Sequence, residues 1–194
     1  MQPSTSSHEI LVWDLGVRIF HWGLVLCFAL AYLTANFAGF DEVHTCIGYA
    51  IIALLIFRIV WGFFGSHYAR FRNFIFTPKE ILSDIIEVSQ NRAKRHIGHT
   101  PPGSAMIFTL LIVLLSIAGT GLILEAWGEF SGPLWAMQIS ISDTVGALAK
   151  ELHEEIVDII LILIALHILG VIVASIQHKE SLVKAMITGK KRSK

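Results

Sequence analysis

The sequence has little charge and few cysteines. Only 15% of its 194 residues are charged and 54% are hydrophobic, whereas soluble domains carry about 25% charged residues. The composition is therefore that of a membrane protein. The two cysteines, Cys27 and Cys46, form no Cys-x-x-Cys motif, which argues against a zinc site, a c-type haem attachment or a disulfide framework. No flavin or nucleotide motif is present, and we expect no nucleic-acid partner.

Four apolar stretches are long enough to cross a bilayer, whose hydrocarbon core requires about 20 helical residues. They lie near residues 15–36, 44–64, 104–124 and 153–175. The first is not preceded by a basic segment, so we expect a retained span rather than a cleaved signal peptide. We predict an all-α integral membrane four-helix bundle that residues 1–194 form as a single domain.

The segment between spans two and three is predicted to contain an amphipathic surface helix. Thr77, Pro78 and Glu80 have the spacing of an N-cap, a proline at the first helical position and a capping-box glutamate. The apolar residues that follow lie largely on one face: Ile81, Leu82, Ile85, Ile86 and Val88. Such a helix is typical of a segment that lies on the membrane surface.

Basic residues are distributed unevenly among the connections. The 36–43 connection has none, and between spans three and four only Lys150 is basic. The basic residues are found instead in the 65–103 segment and near the end of the sequence. Because basic residues concentrate on the cytoplasmic side, we expect a multi-pass protein with both termini in the cytoplasm.

Four histidines lie inside or at the edge of the spans: His21, His44, His153 and His167. The last two are 14 residues apart, which at about 100° per residue places them on one helix face, about 21 Å apart. Ionisable residues within spans are costly and usually mark function. The orientation of the spans pairs His44 with His153 on the outer side, and His21 with His167 on the cytoplasmic side.

Two histidines on opposing helices fit the axial positions of a haem better than a zinc site, which normally needs at least three protein ligands. Any one histidine alone is more simply explained as a core or interfacial residue, but the matched depths favour haem. Gly48, Gly170 and the 118–121 segment offer small side chains beside a macrocycle. Close helix packing explains these small residues equally well.

Two arginines lie near the predicted haem ligands. Arg18 is one turn from His21, and Arg58 lies within the cytoplasmic half of span two. Either is a candidate partner for haem propionates. The alternative is snorkelling toward the head groups.

Several motifs together resemble the bacterial cytochrome b561 family, which includes the cytochrome b subunits of nickel–iron hydrogenases. They are residues 18–22 (RIFHW), His44 with Gly48, residues 97–103 (IGHTPPG), His153 with His167, and residues 175–192. The resemblance implies a four-helix bundle with two b-type haems and the same axial pairs. It also implies a quinone near Gly98, His99 and Thr100, where Thr100 replaces an asparagine found in many members.

We therefore expect a diheme cytochrome of the bacterial inner membrane that transfers electrons between quinone and a periplasmic partner, such as a c-type cytochrome or an oxidoreductase subunit. One alternative is a stand-alone superoxide:quinone oxidoreductase. A second alternative, from another class, is a metal or proton transporter that uses the buried histidines. The direction of electron flow is not encoded in any motif.

Overall fold

A computed structural model describes residues 9–90, 92 and 94–193. The helices are α1 (Leu15–Ala35), α2 (Asp41–Phe64), α3 (Pro78–Ser89), α4 (Pro101–Gly128), α5 (Gly132–Ala136), α6 (Asp143–Gln177) and α7 (Leu182–Thr188), with strands β1 (Glu9–Leu11) and β2 (Lys190–Arg192). Four of the helices, α1, α2, α4 and α6, are long and apolar enough to cross a membrane. The predicted all-α membrane helical-bundle class is confirmed.

Large apolar side chains remain exposed along these helices. Leu26 is 60% exposed, Phe64 is 79% exposed and Ile176 is 71% exposed. Exposed apolar surface on this scale marks contact with lipid or with another protein. This pattern fits helices whose outer faces contact acyl chains.

The α6 helix begins earlier than hydropathy predicts, at Asp143 rather than near residue 153. The Ser142 hydroxyl accepts a hydrogen bond from the Val145 amide at 3.4 Å, and Trp127 Nε1 donates to the Asp143 carboxylate at 3.1 Å. These polar contacts hold the first turns. Because these turns are polar, a search for long apolar runs does not include them in the predicted span.

The α3 helix has the predicted capping box. The Glu80 amide donates to the Thr77 hydroxyl at 3.3 Å, and the Thr77 amide donates to the Glu80 carboxylate at 2.7 Å. Hydrogen bonding to Thr77 lowers the pKa of Glu80. The position of α3 on a membrane surface remains a prediction.

The contacts group the chain into two compact units. The first comprises Met1–His21, Arg58–Ile107 and Leu166–Lys194, and the second comprises Trp22–Phe57 and Phe108–Ala165. The expectation of a single domain remains a prediction.

The first unit has a small core beneath a two-stranded sheet. β1 and β2 pair antiparallel, with Ile10 opposite Lys191. Val12, Trp13 and Ala185 form the buried cluster below them. Gly189 connects α7 to β2 with a φ of 82°, and its carbonyl accepts hydrogen bonds from the Val12 and Trp13 amides at 2.8 and 3.0 Å.

Asp14 joins the start of α1 to the end of α2 within the same unit. Its carboxylate accepts hydrogen bonds from the Val17 amide at 2.9 Å, from Trp61 Nε1 at 3.0 Å and from the Ser66 hydroxyl. Burial alone would raise the pKa of Asp14, but these hydrogen bonds outweigh it and lower the pKa. The contacts orient the first turn of α1, which leads to Arg18 and His21.

In the second unit, a polar contact joins α2 to α4. The Tyr49 hydroxyl donates to the Glu125 carboxylate. The same carboxylate is within 3.4 Å of the Ser131 hydroxyl. Apolar side chains such as Leu55 and Ile160 are each 1% exposed and form part of the core of this unit.

Gly189→Ala is expected to destabilise the protein more than Gly39→Ala. Both glycines have a positive φ, 82° and 85°, which costs a non-glycine residue about 1–2 kcal/mol. A Cβ at Gly189 would also clash with the Trp13 carbonyl oxygen, whereas at Gly39 it would meet no described heavy atom within 4 Å. We expect Gly189→Ala to lower the Tm in detergent more than Gly39→Ala, by about 2–4 °C for each kcal/mol that the clash adds in a domain of this size. Equal shifts would contradict this packing.

Candidate metal centres

His44 and His153 lie together in the second unit, on α2 and α6. Their ring centres are 6.4 Å apart and the ring planes are inclined by 75°. Both residues are partly buried. Each comes from a different helix, as two ligands on opposite sides of one metal ion must.

Each of the two rings is held by a hydrogen bond at its own Nδ1 atom. His44 Nδ1 lies 2.9 Å from the Ala31 carbonyl oxygen, which can only accept, so Nδ1 carries the proton. His153 Nδ1 lies 2.9 Å from the Thr120 hydroxyl oxygen. The Thr120 hydroxyl is also within 2.9 Å of the Ile117 carbonyl, to which it donates, so it accepts from His153. In each ring Nε2 is therefore left with the lone pair that a metal needs.

The separation of the rings fits a shared metal ion. Imidazole nitrogens bind divalent metals at about 2.0–2.1 Å. With ring centres 6.4 Å apart, the two imidazoles are close enough to bind one ion placed between them.

The donor set fits a metal whose other positions are supplied by a macrocycle. Among residues 9–90, 92 and 94–193, no group of three or more His, Cys, Asp or Glu side chains is placed to hold a metal ion. Two neutral imidazoles leave four positions of an octahedral ion for another ligand. A porphyrin supplies four nitrogen ligands in one plane.

Glycines near the histidines do not serve close helix packing. A Cβ added at Gly48, Gly119 or Gly170 would meet no described heavy atom within 4 Å. A glycine required by tight packing would show a clash instead. At Gly121, an added Cβ would lie 3.5 Å from His153 Cε1, so this glycine is in van der Waals range of the ring. Gly119 and Gly170 are exposed, so an added Cβ there would reach open space outside the helix contacts.

His21 and His167 form a second pair in the first unit, on α1 and α6. Their imidazoles interact electrostatically, and both residues are partly buried. His21 and His167 therefore lie close enough to interact within the first unit, and their role as haem ligands stays a prediction.

The two arginines differ in their surroundings. Arg58 is 3% exposed; it donates to the Ala69 carbonyl at 3.2 Å and lies over the Phe71 ring at 4.6 Å. A guanidinium buried in this way does not snorkel into solvent. Arg18 donates to the Ile187 carbonyl, and its buried Nε has no hydrogen-bond partner among the described residues.

The loop before α4 places its three candidate residues in different roles. Thr100 caps α4, since the Gly103 amide donates to its hydroxyl at 3.2 Å. At Gly98, an added Cβ would lie 3.0 Å from the Tyr68 ring. The His99 ring centre lies 4.6 Å from that of Trp13 and 4.2 Å from that of Phe74.

Its surroundings hold His99 in the neutral form. Burial, followed by the positive charges of Arg58 and Lys191, lowers the pKa of His99 to about 3. A neutral imidazole has one N–H donor and one acceptor nitrogen. His99 therefore presents hydrogen-bonding groups but no positive charge at physiological pH.

Residues 12–189 match the model of a family described as prokaryotic cytochrome b561. The chain belongs to this family. It is therefore a multi-pass membrane b-type cytochrome that binds haem b and transfers electrons. A relative from Rhizobium leguminosarum bv. viciae, described as a probable Ni/Fe-hydrogenase B-type cytochrome subunit, is 24% identical over 98% of this chain and 92% of the relative.

Two further relatives carry the same description. The protein from Bradyrhizobium diazoefficiens is 22% identical over 94% of this chain and 86% of its own length. The protein from Rhodobacter capsulatus is 23% identical over 93% of this chain and 80% of its own length. The similarity to these cytochromes therefore covers nearly the whole chain.

Thr120→Val is expected to weaken haem binding at the His44/His153 pair, because it removes the acceptor that orients His153. Loss of a partner that orients a metal-bound histidine typically costs 10–100-fold in affinity. Haem titration of the apoprotein, with redox potentiometry of the loaded protein, measures the effect. Thr120→Ser keeps the hydroxyl and should behave as the wild type. Equal affinities for the Val and Ser variants would contradict this role.

Proposed function

We propose that this cytochrome binds two b-type haems, one between His44 and His153 and the other between His21 and His167, and that it transfers electrons between quinone and a partner across the membrane. The main support is the His44–His153 geometry, with ring centres 6.4 Å apart and both Nδ1 atoms hydrogen-bonded. One continuous helix, α6, carries a ligand of each pair. Residues of α6 therefore contribute to both proposed centres.

The axial pairs favour electron transfer over oxygen chemistry. Haem held by these histidines would supply one-electron redox chemistry, and an iron bound by both imidazoles of a pair would have no position left for oxygen. The protein orients the imidazoles and keeps their tautomers, as Ala31 and Thr120 do for the His44/His153 pair. Histidines held in this way suit a haem that is repeatedly reduced and oxidised without binding a substrate at its iron.

We assign the His44/His153 pair to the periplasmic side of the inner membrane and the His21/His167 pair to the cytoplasmic side. The basic residues of the 65–103 and C-terminal segments support this orientation, which leaves both termini cytoplasmic. In α3, Leu82, Ile85 and Ile86 are 60%, 48% and 47% exposed. Asp84, on the same helix, is only 6% exposed. An apolar exposed face and a buried polar residue suit a helix that lies on the cytoplasmic leaflet.

Arg18 and Arg58 are proposed to pair with the propionates of the cytoplasmic-side haem. Arg18 has a buried Nε that no described acceptor satisfies, and buried donors normally find a partner. A propionate carboxylate is an acceptor of the required charge. Arg58 belongs to the same unit as Arg18 and is 3% exposed.

The quinone is proposed to bind at the Gly98, His99 and Thr100 loop. His99 lies against the buried rings of Trp13 and Phe74, a setting in which a flat apolar ligand has aromatic surfaces to contact. Neutral His99 offers an N–H to a quinone carbonyl. Thr100 uses its hydroxyl oxygen to accept from the Gly103 amide, so we assign it mainly to shaping the loop.

A redox partner is proposed on the periplasmic side, in contact with the His44/His153 haem. The relatives are described as subunits of Ni/Fe-hydrogenases, which supports an oxidoreductase subunit as this partner. A c-type cytochrome is the other candidate. With no flavin or nucleotide motif in the sequence, the cytochrome depends on such a partner to exchange electrons with soluble substrates.

Single substitutions of the two α6 histidines test the haem assignment. His153→Ala should remove or perturb only the periplasmic-side haem, and His167→Ala only the other. Haem quantitation and the reduced-minus-oxidised spectrum of purified protein measure the loss. His67→Ala, at an exposed histidine, should retain both haems. Full haem content in both α6 variants would overturn the assignment.

His99→Leu tests the quinone site. Loss of the N–H donor should raise the quinone concentration that half-saturates haem re-oxidation by about 2- to 13-fold, since one hydrogen bond contributes roughly 0.5–1.5 kcal/mol. Pre-reduced protein mixed with a soluble quinone in a stopped-flow instrument gives this concentration. His67→Leu should leave it unchanged. An unchanged value for His99→Leu would place the quinone elsewhere.

A further inference from the structure

Lys191 is a buried cation in the strand β2. It is 6% exposed, although lysine is almost never fully buried without a partner. Its Nζ donates to the His96 carbonyl at 3.4 Å and lies 5.9 Å from the centre of the Trp13 ring. Within the described part of the chain, its ammonium forms no salt bridge. The side chain is thus held at a costly position with few direct contacts.

Lys191 lies between a surface cavity and the ring that contacts His99. The cavity has a volume of about 450 Å³ and is lined by residues that include Glu180, Lys184 and Lys191. Trp13 lies on the other side of Lys191. Its ring centre is 5.9 Å from Lys191 Nζ and 4.6 Å from the His99 ring centre. The lysine therefore connects a polar, open region with the proposed quinone loop.

Four charged or titratable groups face Lys191. Glu180 favours the ammonium form, and Arg95 opposes it. The charge of Lys191 acts in turn on His99 and His178. Burial is the largest influence and lowers the pKa of Lys191. A lysine in this situation gives up its proton more readily than one in water.

We propose that Lys191 passes protons between this cavity and a quinone bound at His99. The inference rests on the quinone site proposed above. Reduction of a quinone consumes two electrons, which the cytochrome delivers one at a time, and two protons, one for each oxygen. Each proton moves from the Lys191 ammonium to a quinone oxygen, and the resulting amine takes another from water in the cavity. Quinol oxidation runs the same steps in reverse.

The other two groups near the site are less suited to this role. His99 is already neutral and has no proton to give without becoming an anion. Arg58 keeps its proton because a guanidinium is effectively always charged. Lys191 alone of the three has both an exchangeable proton and a neighbouring cavity.

The test compares Lys191→Met and Lys191→Arg in the stopped-flow assay of pre-reduced protein with a soluble quinone. Arginine keeps the charge but cannot exchange its proton at neutral pH. Both variants should lower the limiting rate of haem re-oxidation on the order of 100-fold, the usual size of a general acid–base contribution. The half-saturating quinone concentration and the haem spectrum should not change. Lys150→Met, at an exposed lysine of the second unit, should match the wild type.

The outcomes separate this proposal from the quinone site itself. A wild-type limiting rate in Lys191→Arg would show that only charge or packing matters, and would overturn the proton role. If Lys191→Met does not retain haem, the Arg variant alone decides in the same way. If His99→Leu does not alter quinone saturation, the site is elsewhere. If it does, and both Lys191 variants keep the wild-type rate, only the Lys191 proposal is wrong.

Discussion

An imidazole placed inside an apolar span must find partners for both of its nitrogens within the protein, because lipid offers none. At His44 and His153, Ala31 and Thr120 satisfy one nitrogen of each ring. The other nitrogen of each is then available to a ligand that both rings share. In the proposed function, the hydrogen-bonded nitrogen of each ring sets the tautomer and the other nitrogen binds the haem iron.

A second set of contacts organises the first unit, in which residues from the beginning and the end of the sequence meet. β1 and β2 lie far apart in sequence, yet their pairing brings Lys191 over the buried Trp13 ring. Trp13 in turn packs against His99. Gly189 makes the turn into β2 because its positive φ and the nearby Trp13 carbonyl leave no room for a side chain. A backbone requirement at one glycine thereby determines where a buried charge lies.

The sequence predicted the parts of this protein that depend on local patterns. Long apolar runs identified the four spans, and the Thr77–Glu80 spacing identified the capped start of α3. The depth argument predicted the pairs His44/His153 and His21/His167; the structure places the first two rings 6.4 Å apart, and the haem ligation by both pairs stays a prediction. The α6 helix extends ten residues before the span predicted near residues 153–175, because its first turns are too polar to belong to an apolar run. Thr120 and Lys191 were missed as functional candidates because a hydroxyl and a lysine acquire their roles only through partners distant in sequence.

The number of haems in the purified protein tests the account most directly. Haem quantitation against protein concentration, combined with a redox titration of the reduced-minus-oxidised spectrum, should give two b-type haems per chain that titrate as two components. A stoichiometry of one haem or none would contradict the paired-histidine account.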